Sequence, residues 1–167
     1  MTLARSGVAE DWPPHPTADT VAPTGSGGTA SHEAASVPVT YEISGDPGLI
    51  RTRCTGAVSF REVLDHFRAL ETDPSLPGRL DVLLDLAETT SLPESDQLRS
   101  IAGRIEQLLG RVRWGACAIV AKRDALFGMS RMFEVFSGSS FVETKVFREV
   151  GEAEAWLTST RGRGATA

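Results

Sequence analysis

The sequence has few of the residues and runs that mark several common classes of protein. It holds two cysteines, Cys54 and Cys117, among 167 residues, whereas small secreted domains are rich in disulfides. We therefore expect two free, buried thiols in a cytoplasmic protein. No apolar run approaches the roughly 20 residues that a membrane-spanning helix needs, and residues 1–12 lack the apolar core of a secretory signal. These absences predict a chain with no integral membrane segment.

Clustered basic charge is also missing. The chain carries 17 lysines and arginines against 22 acidic residues, which gives a formal net charge of −5. No stretch concentrates the basic residues, although proteins that bind nucleic acid neutralise phosphates with clustered Lys and Arg. We therefore expect no nucleic-acid partner.

The residues that usually carry catalysis are sparse and scattered. Of the three histidines, His15 and His32 lie in a polar N-terminal region, and His66 stands beside Asp65 on a helix, where we expect it to be solvated. No spacing of His, Cys, Asp and Glu matches a metal site, and no nucleophile elbow, phosphate loop or dinucleotide fingerprint occurs. The sequence therefore predicts a protein that is not an enzyme and has no cofactor and no metal.

Both ends of the chain have the composition of disordered segments. Residues 1–36 contain four prolines and a Gly- and Ser-rich tract at 25–31, and they show no sustained periodicity. Such segments cannot bury enough apolar surface to offset the entropy lost on ordering. We predict disordered tails at 1–36 and 159–167 and one folded domain at 37–158.

Hydrophobic periodicity within 37–158 alternates between the strand type and the helix type. Alternating apolar residues at 37–43 and a second apolar segment at 49–54, joined by a turn, predict an antiparallel hairpin. Ser59 and Glu62 match a capping box and predict the start of a helix. Strands are then predicted at 80–86, 116–121 and 143–148, and helices at 93–109, 124–137 (capped by Asp124) and 152–157. The order ββαβαβαβα predicts an α/β fold with a single mixed β-sheet of about five strands and helices packed on it.

Three pieces of this pattern resemble the STAS superfamily, the anti-sigma-factor antagonist domains. Gly56 precedes the capped helix, an apolar strand at 83–86 contains Asp85, and the strand at 118–121 is followed by the segment 127–132. Together these pieces are most similar to the SpoIIAA-like branch, whose shape is similar to that of CRAL-TRIO lipid-binding domains. The resemblance implies the same sheet-and-helix fold and a regulatory protein-interaction role in a bacterium.

The chain departs from the family at the phosphorylation motif. Sigma-regulating members carry a phosphorylatable Ser in an Asp-Ser-Ser/Thr-Gly motif that opens the helix after the 83–86 strand. Here Glu94 occupies that position, Ser95 follows one place later, and no Gly comes after it. We therefore predict no phosphoswitch at Ser95, and Glu94 is also favourable as a carboxylate at a helix N-terminus.

The helix at 124–137 carries more apolar side chains than one buried stripe needs. Met129 and Phe133 form one stripe, Met132 and Phe136 form another, and Arg131 flanks them. This helix is either buried between the sheet and its neighbours or partly exposed as an adaptable surface rich in Met and Phe. Asp85 is a further candidate, because it ends a strand where Glu88, Thr89 and Thr90 follow and where the loop at 122–124 is expected to adjoin.

The sequence favours a non-catalytic STAS-like protein-interaction module with a protein partner, and it leaves homodimerisation open. The alternative is a carrier or binder of an apolar, lipid-like small molecule in a site between the 124–137 helix and the sheet. The candidate residues for either role are Asp85, Glu94, Ser95, Met129, Arg131, Met132, Phe133 and Phe136.

Overall fold

Strands and helices alternate along the part of the chain that the computed structural model describes, which is residues 37–45, 48–108 and 110–164. The tail predicted at 1–36 lies outside the described residues. The elements are, in chain order, β1 (Val39–Ser44), β2 (Gly48–Gly56), α1 (Phe60–Thr72), β3 (Arg79–Thr89), α2 (Ser95–Leu108), β4 (Arg113–Val120), α3 (Asp124–Phe136), β5 (Glu143–Phe147) and α4 (Val150–Gly164). None of these helices combines the length and the apolar character that crossing a membrane requires.

The five strands form one sheet in the order β1-β2-β3-β4-β5. β1 and β2 pair antiparallel, with Val39 opposite Cys54 and Ser44 opposite Leu49, and the other neighbouring strands pair parallel. Each of the first three helices therefore connects a strand to its immediate neighbour in the sheet. The predicted hairpin and the predicted α/β fold with a single mixed sheet are confirmed.

The sheet buries both of its faces, and β4 shows how. Its side chains alternate between two hydrophobic clusters: Cys117 and Ile119 belong to one, and Ala116 and Ala118 belong to the other. The first cluster includes residues of three helices, namely Phe67 and Leu70 of α1, Leu98, Ala102 and Ile105 of α2, and Leu126 and Phe133 of α3. The second includes Ala153 and Leu157 of α4. Three helices thus cover one face and α4 covers the other, as expected for β4, which is uncharged after Arg113.

The connection from β2 to α1 follows the sequence prediction. Gly56 ends β2 with a φ of 65°, a left-handed conformation that favours glycine because it has no Cβ. The Ser59 side chain accepts a hydrogen bond from the Glu62 backbone N–H, and the Glu62 carboxylate accepts one from the Ser59 N–H at 2.7 Å. This reciprocal capping box satisfies two donors at the helix start.

The start of α3 differs from the prediction. The N-cap is Arg123, and among the described residues no side chain caps the helix by a hydrogen bond. Asp124 is the first helical residue, and its carboxylate instead lies 2.8 Å from the Arg148 guanidinium. The prediction that Asp124 caps the helix was wrong, because an ion pair with the chain after β5 engages its side chain.

The C-terminal boundary of the domain also differs, because α4 continues six residues past 158 to Gly164. Arg161 Nε donates to Asp81 Oδ2 at 2.6 Å, and its Nη2 donates to the Gly48 carbonyl. Asp81 is 2% exposed. The expected tail at 159–167 was therefore too long: a polar sequence extends the helix because one of its side chains pairs with a buried carboxylate. Residues 165–167 lie outside the described residues.

Gly115 makes room for the same carboxylate. A Cβ at this position would lie 1.9 Å from Asp81 Oδ1, which is far inside van der Waals contact. That oxygen accepts a hydrogen bond from the Ala116 N–H at 2.9 Å. Both oxygens of the buried carboxylate are thus engaged, as a buried charge requires.

Candidate functional site: an apolar cavity

A cavity of about 200 Å³ lies inside the first hydrophobic cluster, between α1, α2, α3 and the sheet. Its wall is mostly aliphatic and aromatic. The lining includes Ile50, Val82, Leu84, Leu86, Cys117 and Ile119 from the strands and Val63, Phe67, Leu98, Ile101, Met129 and Phe133 from the helices. Pockets of this kind, apolar and enclosed by several elements, are the usual sites for small ligands.

The connections that follow β2 and β3 form a rim of the cavity, where one lining side chain is exposed. Val58 lines it from the first connection, and Leu92, an exposed side chain, lines it together with Pro93 from the second. The Val58 N–H donates to Ser91 Oγ at 3.0 Å, and the Thr90 N–H donates to the Gly56 carbonyl at 2.8 Å. These hydrogen bonds hold the two connections side by side at the rim.

The polar side chains in the wall are largely engaged within the protein. Thr89 Oγ1 donates to the Cys54 carbonyl at 3.1 Å, and Ser130 Oγ donates to the Leu126 carbonyl at 2.8 Å. None of the described residues that line the cavity is Asp, Glu, Lys or Arg. The wall is therefore both apolar and uncharged.

His66 is the exception in this wall, and the expectation that it is solvated was wrong. Its ring makes an edge contact with the Tyr41 ring, 5.2 Å between centroids, and its Nε2 lies 3.5 Å from Thr52 Oγ1. Its Nδ1 is buried and has no hydrogen-bond partner among the described residues. Burial lowers the pKa of His66 from 6.5 to about 4, so the ring is neutral at physiological pH. The sequence contains a signal for this burial, because His66 lies three residues after Val63 and four before Leu70, within the apolar stripe of α1.

Both cysteines line the cavity, and both are free and buried as predicted. Burial, with a smaller contribution from the Asp85 charge, raises the pKa of Cys54 to about 11. Burial also raises the pKa of Cys117. Because the thiolate is the reactive form of cysteine, these thiols pack as small apolar groups at neutral pH.

The structure separates the α3 candidates. Met129 and Phe133 line the cavity, and Phe133 is 7% exposed. Met132 is 38% exposed on the outer side of the helix, and Phe136 is half-buried with the Arg99 guanidinium 5.5 Å above its ring. Arg131 is exposed and pairs with Glu134. The two stripes therefore have different surroundings, and Val135, another apolar residue of the same helix, is 78% exposed.

The remaining candidates do not join the cavity. Asp85 lies within β3 rather than at its end, and its Oδ1 accepts from the Ala87 N–H. It borders a shallow polar groove with Thr40, Glu42 and Arg53. Glu88 pairs with Arg53, whereas Thr89 lines the cavity, so these two residues have different surroundings. β3 extends to Thr89 and places Asp85, Glu88 and Thr89 in the sheet instead of in one loop.

Glu94 and Ser95 lie at the start of α2. Glu94 is exposed just before the helix, and Ser95 is the first residue of the helix.

The loop after β3 and the loop after β4 adjoin, as expected, because Arg123 Nη1 donates to the Thr90 carbonyl at 2.6 Å.

Neither a protein-family profile nor a curated protein matches this chain. A solved structure does match: an uncharacterized protein from the DUF3478 family with a SpoIIAA-like fold, from Shewanella loihica PV-4. The two chains are 16% identical, with a TM-score of 0.46, and the match covers 71% of this chain and 91% of that one. This similarity concerns the fold alone.

Proposed function

We propose that this domain is a non-catalytic binder of a small apolar molecule, which it holds in the cavity between the sheet and α1, α2 and α3. The observation that carries the proposal is the uncharged cavity of about 200 Å³. An apolar cavity of about 150 Å³ is enough to hold benzene, so a ligand somewhat larger than benzene fits. The sequence favours protein interaction over this role, and the cavity is our reason for proposing ligand binding first.

The cavity's construction supports reversible binding. Its rim lies on two connections rather than inside a helix or strand, and connecting segments move more readily than the elements they join. The exposed Leu92 is an apolar side chain at that rim, where it favours the entry of an apolar molecule. A cytoplasmic location fits the two unpaired thiols.

Toluene is a suitable probe, and Val82→Phe is a suitable variant, because Val82 lines the cavity and a phenyl ring there fills it. Val135→Phe is the matched control, since Val135 is exposed on α3. We expect toluene to raise the Tm of the wild type and of Val135→Phe, and to leave that of Val82→Phe unchanged. The absence of any Tm rise in the wild type at saturating toluene contradicts the proposal. Native mass spectrometry of freshly purified protein then identifies a retained natural ligand by its mass.

A regulatory protein-interaction role is a second candidate, and the exposed apolar side chains of α3 favour it. Val135 and Met132 lie on the outer side of this helix, where apolar groups suit contact with a partner. Val135→Asp should then abolish recovery of a specific partner in a pull-down and leave toluene binding intact. Equal recovery by wild type and variant excludes this surface.

A further inference from the structure

His66 lines the cavity, and its ring nitrogen Nδ1 is buried and has no hydrogen-bond partner among the described residues. Thr89, Ser91 and Ser130, which also line the cavity, already form hydrogen bonds within the protein. Of the described residues in the lining, His66 alone carries a buried side-chain nitrogen or oxygen without a partner. Leaving such an atom unpaired costs free energy that a ligand with a matching group recovers on binding.

The imidazole determines which group matches. Its Nε2 lies 3.5 Å from Thr52 Oγ1, and either atom of that pair can carry the shared hydrogen. If Thr52 donates, Nδ1 is protonated and needs an acceptor; if Thr52 accepts, Nδ1 needs a donor. A hydroxyl group both donates and accepts, so it fits His66 in either tautomer.

The lack of charge in the wall disfavours a carboxylate, which is the other common polar group of small amphiphiles. A carboxylate in this cavity loses its hydration and finds no described Lys or Arg in the lining. With its pKa lowered to about 4 by burial, His66 supplies no positive charge at neutral pH either. Burial of an unpaired charge is strongly unfavourable, so a neutral ligand is preferred over an anionic one.

We infer, on the basis of the proposed function, that the ligand is a neutral molecule of about the size of one substituted aromatic ring. It carries a single hydroxyl group, and this group hydrogen-bonds to His66 Nδ1. The class includes phenols and small aromatic or medium-chain alcohols. His66 selects the hydroxyl, and the apolar wall selects the rest of the molecule by shape.

Three probes that share one ring test this inference by calorimetry: toluene, p-cresol and p-toluate. His66→Phe removes the nitrogen and keeps a planar ring. Val135→Leu is the matched control, because Val135 is exposed on α3 and does not line the cavity. We expect the affinity ratio of p-cresol to toluene to fall by roughly tenfold in His66→Phe, the effect of one hydrogen bond. The ratio should be unchanged in Val135→Leu, and p-toluate should bind the wild type far more weakly than p-cresol.

A second measurement needs no variant and covers the case in which His66→Phe does not fold. The ¹⁵N resonance of His66 Nδ1 in the wild type should shift on addition of p-cresol and stay in place with toluene. If toluene binds but the ratio or the resonance does not respond to the hydroxyl, the inference is overturned and the proposed function stands. If p-toluate binds as tightly as p-cresol, the neutral class is wrong. If no probe binds, the proposed function and the inference fall together.

Discussion

Replacing Arg161 with alanine should destabilise the domain strongly, although the residue lies in a polar segment near the end of the sequence. Its guanidinium pairs with Asp81 at 2.6 Å, and Asp81 is 2% exposed. In Arg161→Ala, the carboxylate keeps the Ala116 N–H as a partner and loses its counter-charge. Removing one member of a buried ion pair costs about 3–5 kcal/mol. We expect roughly 3 kcal/mol, the low end of that range, because Arg161 is itself 27% exposed and water can partly replace it.

Urea denaturation followed by tryptophan fluorescence measures this change, since Trp114 is buried in the core. Arg131→Ala is the matched control, because its pair with Glu134 is exposed and such pairs contribute about 0–1 kcal/mol. Adding Asp81→Asn to Arg161→Ala should restore part of the loss, since the amide removes the charge and keeps an oxygen for the Ala116 N–H. If Arg161→Ala is as stable as Arg131→Ala, the last turn of α4 does not anchor the sheet and our reasoning is wrong.

Three further predictions follow from single positions. Gly115→Ala should lower the free energy of unfolding in chemical denaturation, because the added Cβ would collide with the buried Asp81 carboxylate. Gly103→Ala, whose Cβ would meet nothing within 4 Å, should raise that free energy by about 0.5–1 kcal/mol. Equal effects of the two substitutions would argue against the close approach of Gly115 to Asp81. Wild-type stability should fall as the pH decreases from 6.5 to about 4, by up to about 3 kcal/mol, because the unfolded chain binds a proton that buried His66 resists; a His66→Phe profile with the same slope refutes this. Phe133→Ala should cost about 3–5 kcal/mol and Val135→Ala less than about 0.5 in thermal unfolding, and similar losses at both positions would mean that α3 is buried all round.

The parts of the fold that sequence reasoning predicted depend on neighbours in the chain. The Ser59–Glu62 capping box spans four residues, and the apolar stripe of α2 repeats every turn, so both are visible in a short window. The uncharged run in β4 likewise predicts a strand buried on both faces. The element order and the mixed sheet follow from these local signals together with the handedness of the connections.

The parts that it missed depend on partners distant in the sequence. Asp81 looks like an ordinary polar residue in an apolar strand, and its partner Arg161 lies 80 residues later. No local pattern joins them, so the polar composition of 159–167 predicts a tail where the structure has the end of α4. The neighbouring Asp65 suggests that His66 is solvated, whereas the place of His66 in the helical stripe indicates burial. The cavity itself is an unfilled volume between four elements, and no single segment contains it.

The pairing of Arg161 with Asp81 has a consequence for how the protein is made. All five strands leave the ribosome before Arg161 does. The Arg161 side chain then bonds to Asp81 and Gly48, which lie 80 and 113 residues earlier in the chain. Until then, the nascent domain holds an uncompensated carboxylate in what will become its core. Since domains fold as units during synthesis, we expect the completed fold to appear only after this arginine emerges. A chain that ends before Arg161 is therefore less stable than the finished domain, and its lower stability exposes it to proteolysis.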